Sequence, residues 1–224
     1  MPVFALTNDL VFPDPSMAED EGLLAVGGDL SAKRLLLAYS QGIFPWYSDS
    51  DTILWWSPDP RMIVLPNEFK PSKSLRQTLR TKGFEVKFDQ AFEQVIYACS
   101  NVKREGEGGT WITEEMKSAY NHLHELGFAH SVETYQDGTL VGGLYGVSLG
   151  KAFFGESMFH YRRDASKVAF YFLVKRLVEW DFHLIDSQVE TMHLKSLGGR
   201  LIPRKEFLRF LSSSLKHPSI IGKW

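Results

Sequence analysis

Phe153-Phe154-Gly155-Glu156-Ser157-Met158-Phe159 and, further on, Leu184-Ile185-Asp186-Ser187-Gln188 are the stretches that decide the fold. Each begins as an apolar, strand-like run and then carries a carboxylate, hydroxyl or amide. Between them, residues 165–180 have the apolar spacing of a long helix. Upstream, residues 130–135, a turn at Asp137-Gly138, residues 139–148, a turn near Gly150 and residues 151–156 read as an antiparallel meander. A meander, a long helix and one more strand make an α+β architecture, a mixed sheet covered by helices. Strand ends are where rigid scaffolds present ligand-binding groups. Glu156, Asp186 and Gln188 are therefore the first candidates for chemistry. Asp186 and Gln188 stand two apart, so on a strand they share one face. The plainer alternative makes Asp186 a helix cap and Glu156 a solvated strand end.

Outward from this centre the elements are short. Residues 31–39 predict a helix capped by Ser31 or Asp29, with Leu35, Leu36, Leu37 and Ala38 facing inward. Prolines at 45, 58 and 60 forbid long regular elements around it, which makes residues 1–62 a small loop-rich lobe and residues 63–224 the main domain. In the main domain, residues 62–65 read as a strand, 72–81 as a short basic helix and 84–88 as an alternating strand. Asp89 is expected to cap a helix running to Ala98. Thr113 caps another, with Met116, Ala119, Tyr120, Leu123 and Leu126 on one face and Gly127 ending it. A strand over 183–188, a short helix over 191–196 and a last helix from about Arg204 complete the chain.

Composition narrows the function. The 224 residues carry a net charge of −2, so no overall basic field draws the chain to nucleic acid, and any RNA contact must be local. A hydrophobic content of 44%, with 16 Phe and 6 Trp, fills a core and leaves aromatic rings for a pocket. Cys99 is the single cysteine, which excludes a disulfide framework and fits a reducing cytosol. No secretory leader and no apolar run of membrane-spanning length is visible, so the expectation is a cytoplasmic protein without membrane contact. His122 and His124 point in different directions on a helix, and the other histidines lack zinc spacing, so no metal is expected. No Ser-His-Asp order or G-x-S-x-G elbow is present.

The order of elements resembles that of GNAT-type N-acyltransferases. An acyl-CoA enzyme of that type needs a glycine-rich turn before the long helix to cradle pyrophosphate. Residues 157–164 contain no glycine, which disfavours acyl-CoA. Lys73, Arg76 and Arg80 recur at helical spacing, with Lys70, Lys82 and Lys87 nearby. Such a face is either ordinary solvated surface or a phosphate-contacting patch, which Arg162, Arg163 and Lys167 can extend. Trp55 and Trp56 read as core; Trp46 and Trp111, beside turns, read as cleft-lining. The acidic, glycine-rich residues 105–110 form either a lid or a plain surface loop.

Eight ordered blocks together resemble the leucyl/phenylalanyl-tRNA–protein transferase family: residues 22–30, 42–46, 54–61, 109–113, 124–130, 141–147, 155–159 and 184–189. The resemblance implies a bacterial cytosolic enzyme with a small N-terminal lobe on a GNAT-like domain. Such an enzyme moves Leu or Phe, less readily Met, from aminoacyl-tRNA to a protein's N-terminal Arg or Lys. The new N-terminus marks that protein for degradation; no cofactor is implied, and the chain is expected to be a monomer. By the same resemblance Asp186 and Gln188 lie at the reaction centre. Either Asp186 orients Gln188, which holds the amine or the oxyanion, or Asp186 takes the amine's proton.

Further positions follow residue by residue. Glu156 matches a pocket position, holding the terminal adenosine or the cationic acceptor. Trp46, Tyr39, Trp111, Tyr120 and Phe153 match aromatic positions lining the cleft. Leu144 and Leu177 stand where the best-known member has Met and Phe, which keeps the pocket apolar. Arg76, Arg80 and Lys82 match the basic patch for the tRNA acceptor stem. Ser187 replaces a Cys and is expected to face away from the site; Thr191 replaces an Asn near it. The rival readings are an acyl-CoA-dependent N-acetyltransferase and a non-enzymatic module binding N-termini or tRNA.

Overall fold

Two sheets organise the chain, of which the computed structural model describes residues 3–48, 52–102 and 112–224. The smaller sheet runs β1 (Phe4–Leu6), β2 (Leu23–Gly27), β4 (Leu54–Trp56), β3 (Phe44–Pro45). Helix α1 (Ala32–Ser40) belongs to this lobe, with Ser31 accepting from the Arg34 N–H as N-cap. Its buried residues are Arg34, Leu35, Ala38 and Tyr39, the i, i+1, i+4, i+5 face of a helix, so the expected Leu36 and Leu37 are only partly covered. Arg34 is tolerated inside because its guanidinium donates to the Asp29 carboxylate at 3.1 Å and to the Thr7 and Asp9 carbonyls at 2.9 and 3.1 Å.

The larger sheet has the order β11 (Arg200–Ile202), β5 (Arg61–Val64), β10 (Leu184–Asp186), β9 (Ala152–His160), β8 (Thr139–Leu149), β7 (Ala129–Gln136), β6 (Glu85–Phe88). Its neighbours are antiparallel except β9 and β10, which run parallel and are joined through the long helix α5 (Ala165–Glu179). Phe154 packs with helices α3 (Phe92–Ser100) and α4 (Glu114–Glu125); its neighbour Phe153 packs with α5. Alternation along β9 therefore feeds one apolar layer on each side of the sheet. Helix α2 (Lys73–Thr81) lies against α5, while α6 (Met192–Ser196) and α7 (Arg204–Ser214) follow β10 and β11. This is an α+β fold, a mixed seven-stranded sheet with helices packed on it and a smaller sheet beside it in sequence. No helix among the described residues is long and apolar enough to cross a membrane.

Several local expectations change. Asp89 caps nothing: it sits at φ 53, and α3 starts three residues later with Ala91 as N-cap. Its carboxylate instead accepts from the Ser131 N–H at 2.8 Å, meets His130 Nδ1 at 2.9 Å and accepts from the Trp224 N–H at 2.8 Å. A long-range demand for a buried acceptor outweighs the local cap. Leu126 is exposed because the chain turns at Gly127 before its side chain can join the α4 face. Strand β11 was not anticipated; its three residues, mostly exposed, lack an apolar alternation to betray it.

Candidate functional site

Strand β9 does not end at Glu156 but continues to His160, so its connection to α5 shrinks to residues 161–164. Opposite it, Gly146 pairs with Gly155 and Tyr145 with Ser157, which leaves Glu156 as the extra residue of a β-bulge. Gly146 is required there, since an added Cβ would come within 2.2 Å of the Phe154 carbonyl oxygen. The bulge turns Glu156 toward the smaller lobe. Tyr39 of α1 donates to its Oε1 at 2.7 Å and Tyr120 of α4 to its Oε2 at 3.0 Å; the two hydroxyls also contact each other. Burial, and then the adjacent carboxylate, push both phenols well above their ordinary range.

Burial likewise raises the Glu156 pKa from 4.5 to about 7, against the opposing pull of the two tyrosine hydroxyls. Between these values the folded chain holds a proton that the unfolded chain has lost. The stability this contributes is complete below pH 4.5 and disappears as pH rises through about 7. Glu156→Gln, which cannot ionise, is therefore expected to lose less stability than the parent between about pH 5 and about pH 8. Urea unfolding at the two pH values reads this directly. Equal losses in both proteins would mean that Glu156 titrates in its ordinary range.

Strand β10 stops at Asp186, so Gln188 is not on it; Gln188 adopts φ 56 in the segment that follows. The two residues are linked by a different device. Arg61, at the start of β5, grips the fully buried Asp186 with Nε to Oδ1 at 2.8 Å and Nη2 to Oδ2 at 2.7 Å. Its guanidinium lies over the rings of Phe44 and Phe207, 4.8 and 4.6 Å from their centroids. Asp186 Oδ1 also accepts the Gln188 backbone N–H at 3.0 Å, and the Gln188 carbonyl accepts from Met62 N–H at 3.1 Å. Gln188 is thus pinned at its backbone by a salt-bridged carboxylate. Its side-chain Nε2 is buried without a hydrogen-bond partner among the described residues.

Gln188 is one of the residues lining a cavity of about 600 Å³. One end is apolar, walled by Leu144 and Phe153 from the sheet, Phe170 and Leu173 from α5, and Ile185. Glu156, Ser157, Ser187 and Gln188 supply polar groups, and Trp46, Glu190 and His193 stand nearer its rim. Of the expected residues, Glu156, Trp46, Leu144, Phe153 and Gln188 line this space. Tyr39 and Tyr120 do not; both are fully buried behind Glu156. Leu177 lies deeper in the α5 layer, one turn beyond Leu173. Asp186 stays beneath the cavity floor, spent on Arg61 and Gln188. Ser187 reverses its expectation and faces the cavity, because the strand ends before it. Thr191 lines the rim while capping α6 through the Leu194 N–H at 3.1 Å. Trp111 and residues 105–110 lie outside the described residues.

Sequence reasoning missed Arg61, Phe170, Leu173, Glu190 and His193. Phe170 and Leu173 carried a signal, since with Leu177 they form one apolar helix face, but nothing local tells which part of that face meets a cavity. His193, whose Nε2 meets Met158 Sδ at 3.1 Å, has its pKa lowered by burial and then by Lys167 and His160.

The basic residues form a surface of their own. Arg76, Arg80 and Lys82 are exposed, while Leu75 and Thr78 turn α2 inward. The Thr78 hydroxyl donates to Asp164 Oδ2 at 3.2 Å, which sets α2 beside the start of α5. Arg163 and Lys167 flank the same Asp164 at 3.8 and 3.6 Å. Positive side chains therefore run from α2 along the start of α5 to Lys167, next to His193 at the cavity rim. Among the described residues no group of three or more His, Cys, Asp or Glu is placed to hold a metal ion.

The family model for leucyl/phenylalanyl-tRNA protein transferase matches residues 63–212, and that for its N-terminal domain matches residues 28–59. The chain belongs to this family of transferases. The leucyl/phenylalanyl-tRNA–protein transferase of Desulfatibacillum aliphaticivorans is 56% identical over 224 residues, all of this chain and 96% of its own. That of Syntrophobacter fumaroxidans is 57% identical over 215 residues, 96% of this chain and 92% of its own. Among solved structures, a GCN5-related N-acetyltransferase from Kribbella flavida is similar at 11% identity and a TM-score of 0.39, covering 75% of this chain and 59% of its own. A likeness that distant says nothing of activity. The transferase family does: its members are enzymes that use aminoacyl-tRNA and act on protein.

Proposed function

We propose that this chain moves Leu or Phe, and less readily Met, from aminoacyl-tRNA to the N-terminal Arg or Lys of a protein. The reaction is aminolysis of an activated ester. The acceptor nitrogen bonds to the ester carbonyl carbon, the bond to the ribose oxygen breaks, and the proton lost by the amine ends on the released ribose hydroxyl. A free α-amino group has a pKa of about 7.7–8.0, so a useful fraction is neutral near pH 7. Positioning then does much of the work, and no cofactor is needed.

One observation carries this reading: a largely apolar chamber is lined at one side by Gln188, whose backbone is held by Asp186 and whose buried side-chain Nε2 has no hydrogen-bond partner among the described residues. The chamber suits the donor's side chain, and the amide suits the oxyanion or the amine. Walls made from β9 and α5 resist donors branched at Cβ, such as Ile and Val. Positive side chains leading from Arg76, Arg80 and Lys82 to the rim suit the acceptor stem. The acetyltransferase reading is disfavoured at the start of α5, where the Asp164 carboxylate stands in place of a pyrophosphate cradle. The protein is proposed to act as a cytoplasmic monomer that supplies destabilising N-termini for degradation. A boundary near residue 62 is proposed with it, supported by the smaller sheet closing at Trp56 before the larger one takes up Arg61.

Radiolabelled Leu-, Phe-, Met- and Ile-tRNA offered with a protein beginning with Arg tests the reading. Label from Leu and Phe but not Ile, absent when the acceptor begins with Gly, is the expected result; no label from any donor rejects it. Arg76→Ala combined with Arg80→Ala is expected to weaken tRNA binding and to flatten the slope of log affinity against log salt by roughly 1.5. An unchanged slope returns that face to ordinary solvated surface.

A further inference from the structure

We infer that Glu190 is the receptor for the acceptor's cationic side chain, and that Lys195 occupies it as an internal substitute until an acceptor arrives. The inference rests on the transfer reaction proposed above and assigns the residue that reads the acceptor.

Two carboxylates line the cavity among the described residues, Glu156 and Glu190. Glu156 is poorly suited to a guanidinium or ammonium. Each of its oxygens already accepts from a tyrosine hydroxyl, and burial leaves it only partly ionised near neutral pH. A charge-assisted bond needs the ionised form, and only one of the two lone pairs on each Glu156 oxygen is left to receive it. Glu190 is placed differently. It is exposed at the rim, 39% accessible, and no tyrosine claims it.

Placement relative to Gln188 supplies the second observation. Gln188 is 8% exposed, and its Nε2 is buried without a partner at the point where the acceptor amine must meet the ester. Glu190 follows it by two residues, a span of at most about 7 Å. An α-amine held at Gln188 therefore leaves a long cationic side chain within reach of Glu190. A short first side chain cannot bridge that gap, and a neutral one makes no ion pair when it does.

Lys195 shows that the carboxylate already binds a primary ammonium. Its Nζ forms an ion pair with Glu190 Oε1, both side chains being open to solvent at 47% and 39%. An exposed pair of this kind is weak and readily exchanged. An N-terminal Lys brings the same ammonium, and an N-terminal Arg brings a planar fork that can hold both carboxylate oxygens. Lys195 then swings into water, where its charge is fully hydrated.

The test uses the full chain, Phe-tRNA as donor, and two peptides that differ only in beginning with Arg or with its neutral isostere citrulline. The parent is expected to show a KM at least about ten-fold lower for the Arg peptide. In Glu190→Gln that preference collapses, with the Arg peptide's KM rising to the citrulline value while kcat and Phe-tRNA affinity stay near the parent's. Lys195→Met, which removes the competitor, is expected to lower the Arg peptide's KM a few-fold. A merely structural pair would be damaged alike by both changes, so equal loss from Glu190→Gln and Lys195→Met overturns the inference. So does a Glu190→Gln variant that keeps the parent's Arg preference. A parent that transfers to neither peptide rejects the underlying reaction instead.

Discussion

Asp186→Ala is expected to lower turnover by about 100-fold or more and to cost about 3–5 kcal/mol of stability, even though its carboxylate never meets substrate. Both effects follow from the same contacts. Removing the carboxylate leaves Arg61 buried between Phe44 and Phe207 without the partner that its Nε and Nη2 both bind. It also frees the Gln188 backbone N–H from its acceptor. The two effects can be separated. Arg61→Met with Asp186→Leu replaces the buried pair by apolar groups, which often restores or improves stability. That double variant should unfold near the parent's denaturant midpoint yet remain inactive, because Gln188 has lost its anchor. Recovery of transfer along with stability would show that Asp186 does no more than hold the fold together.

Replacing Gln188 should have the cleaner kinetic signature. Gln188→Ala removes the side-chain amide from a cavity-lining residue, and a loss of about 10²–10³ in kcat is expected, with affinity for aminoacyl-tRNA nearly unchanged. The backbone offers an internal control. Gln188 is held at φ 56, which costs a side-chain-bearing residue of order 1 kcal/mol and a glycine almost nothing. Gln188→Gly should therefore be at least as stable as Gln188→Ala and equally inactive. Single-turnover transfer measured beside chemical unfolding tests both statements. A glycine variant that keeps the parent's rate would mean that the peptide backbone, not the amide, does the work.

Much of this was legible in the residues alone. Ser31 and Thr113 each cap the helix that follows them, because a hydroxyl placed just before an apolar periodicity satisfies the free N–H groups of the first turn. The meander was readable from its alternation and its Asp137-Gly138 turn. What escaped was set by partners far away in sequence. Arg61 looks like a solvated charge after two prolines, and only the arrival of Asp186, 125 residues later, makes its burial possible. Asp89 has a good cap sequence but answers to Ser131 and His130 instead. Glu156 was placed at a strand end because a bulge is invisible to a period of two; the strand simply resumes on the far side of it. In the site, the chemistry-bearing side chains could be named, but which of them touch the cavity and which stand behind it could not.

The bulge has a consequence for how the enzyme can diverge. Glu156 is tied at once to a helix of the smaller lobe and to one of the larger domain, so its wall of the cavity doubles as the seam between them. A substitution there loosens the joint between α1 and α4 and reshapes the cavity in one step. The opposite wall, built from Phe170 and Leu173 on one helix face, belongs instead to the core layer that α5 forms on the other side of the sheet. With the proposed donor side chain in that end, substitutions on α5 change which amino acids fit while the Glu156 contacts with Tyr39 and Tyr120 stay in place.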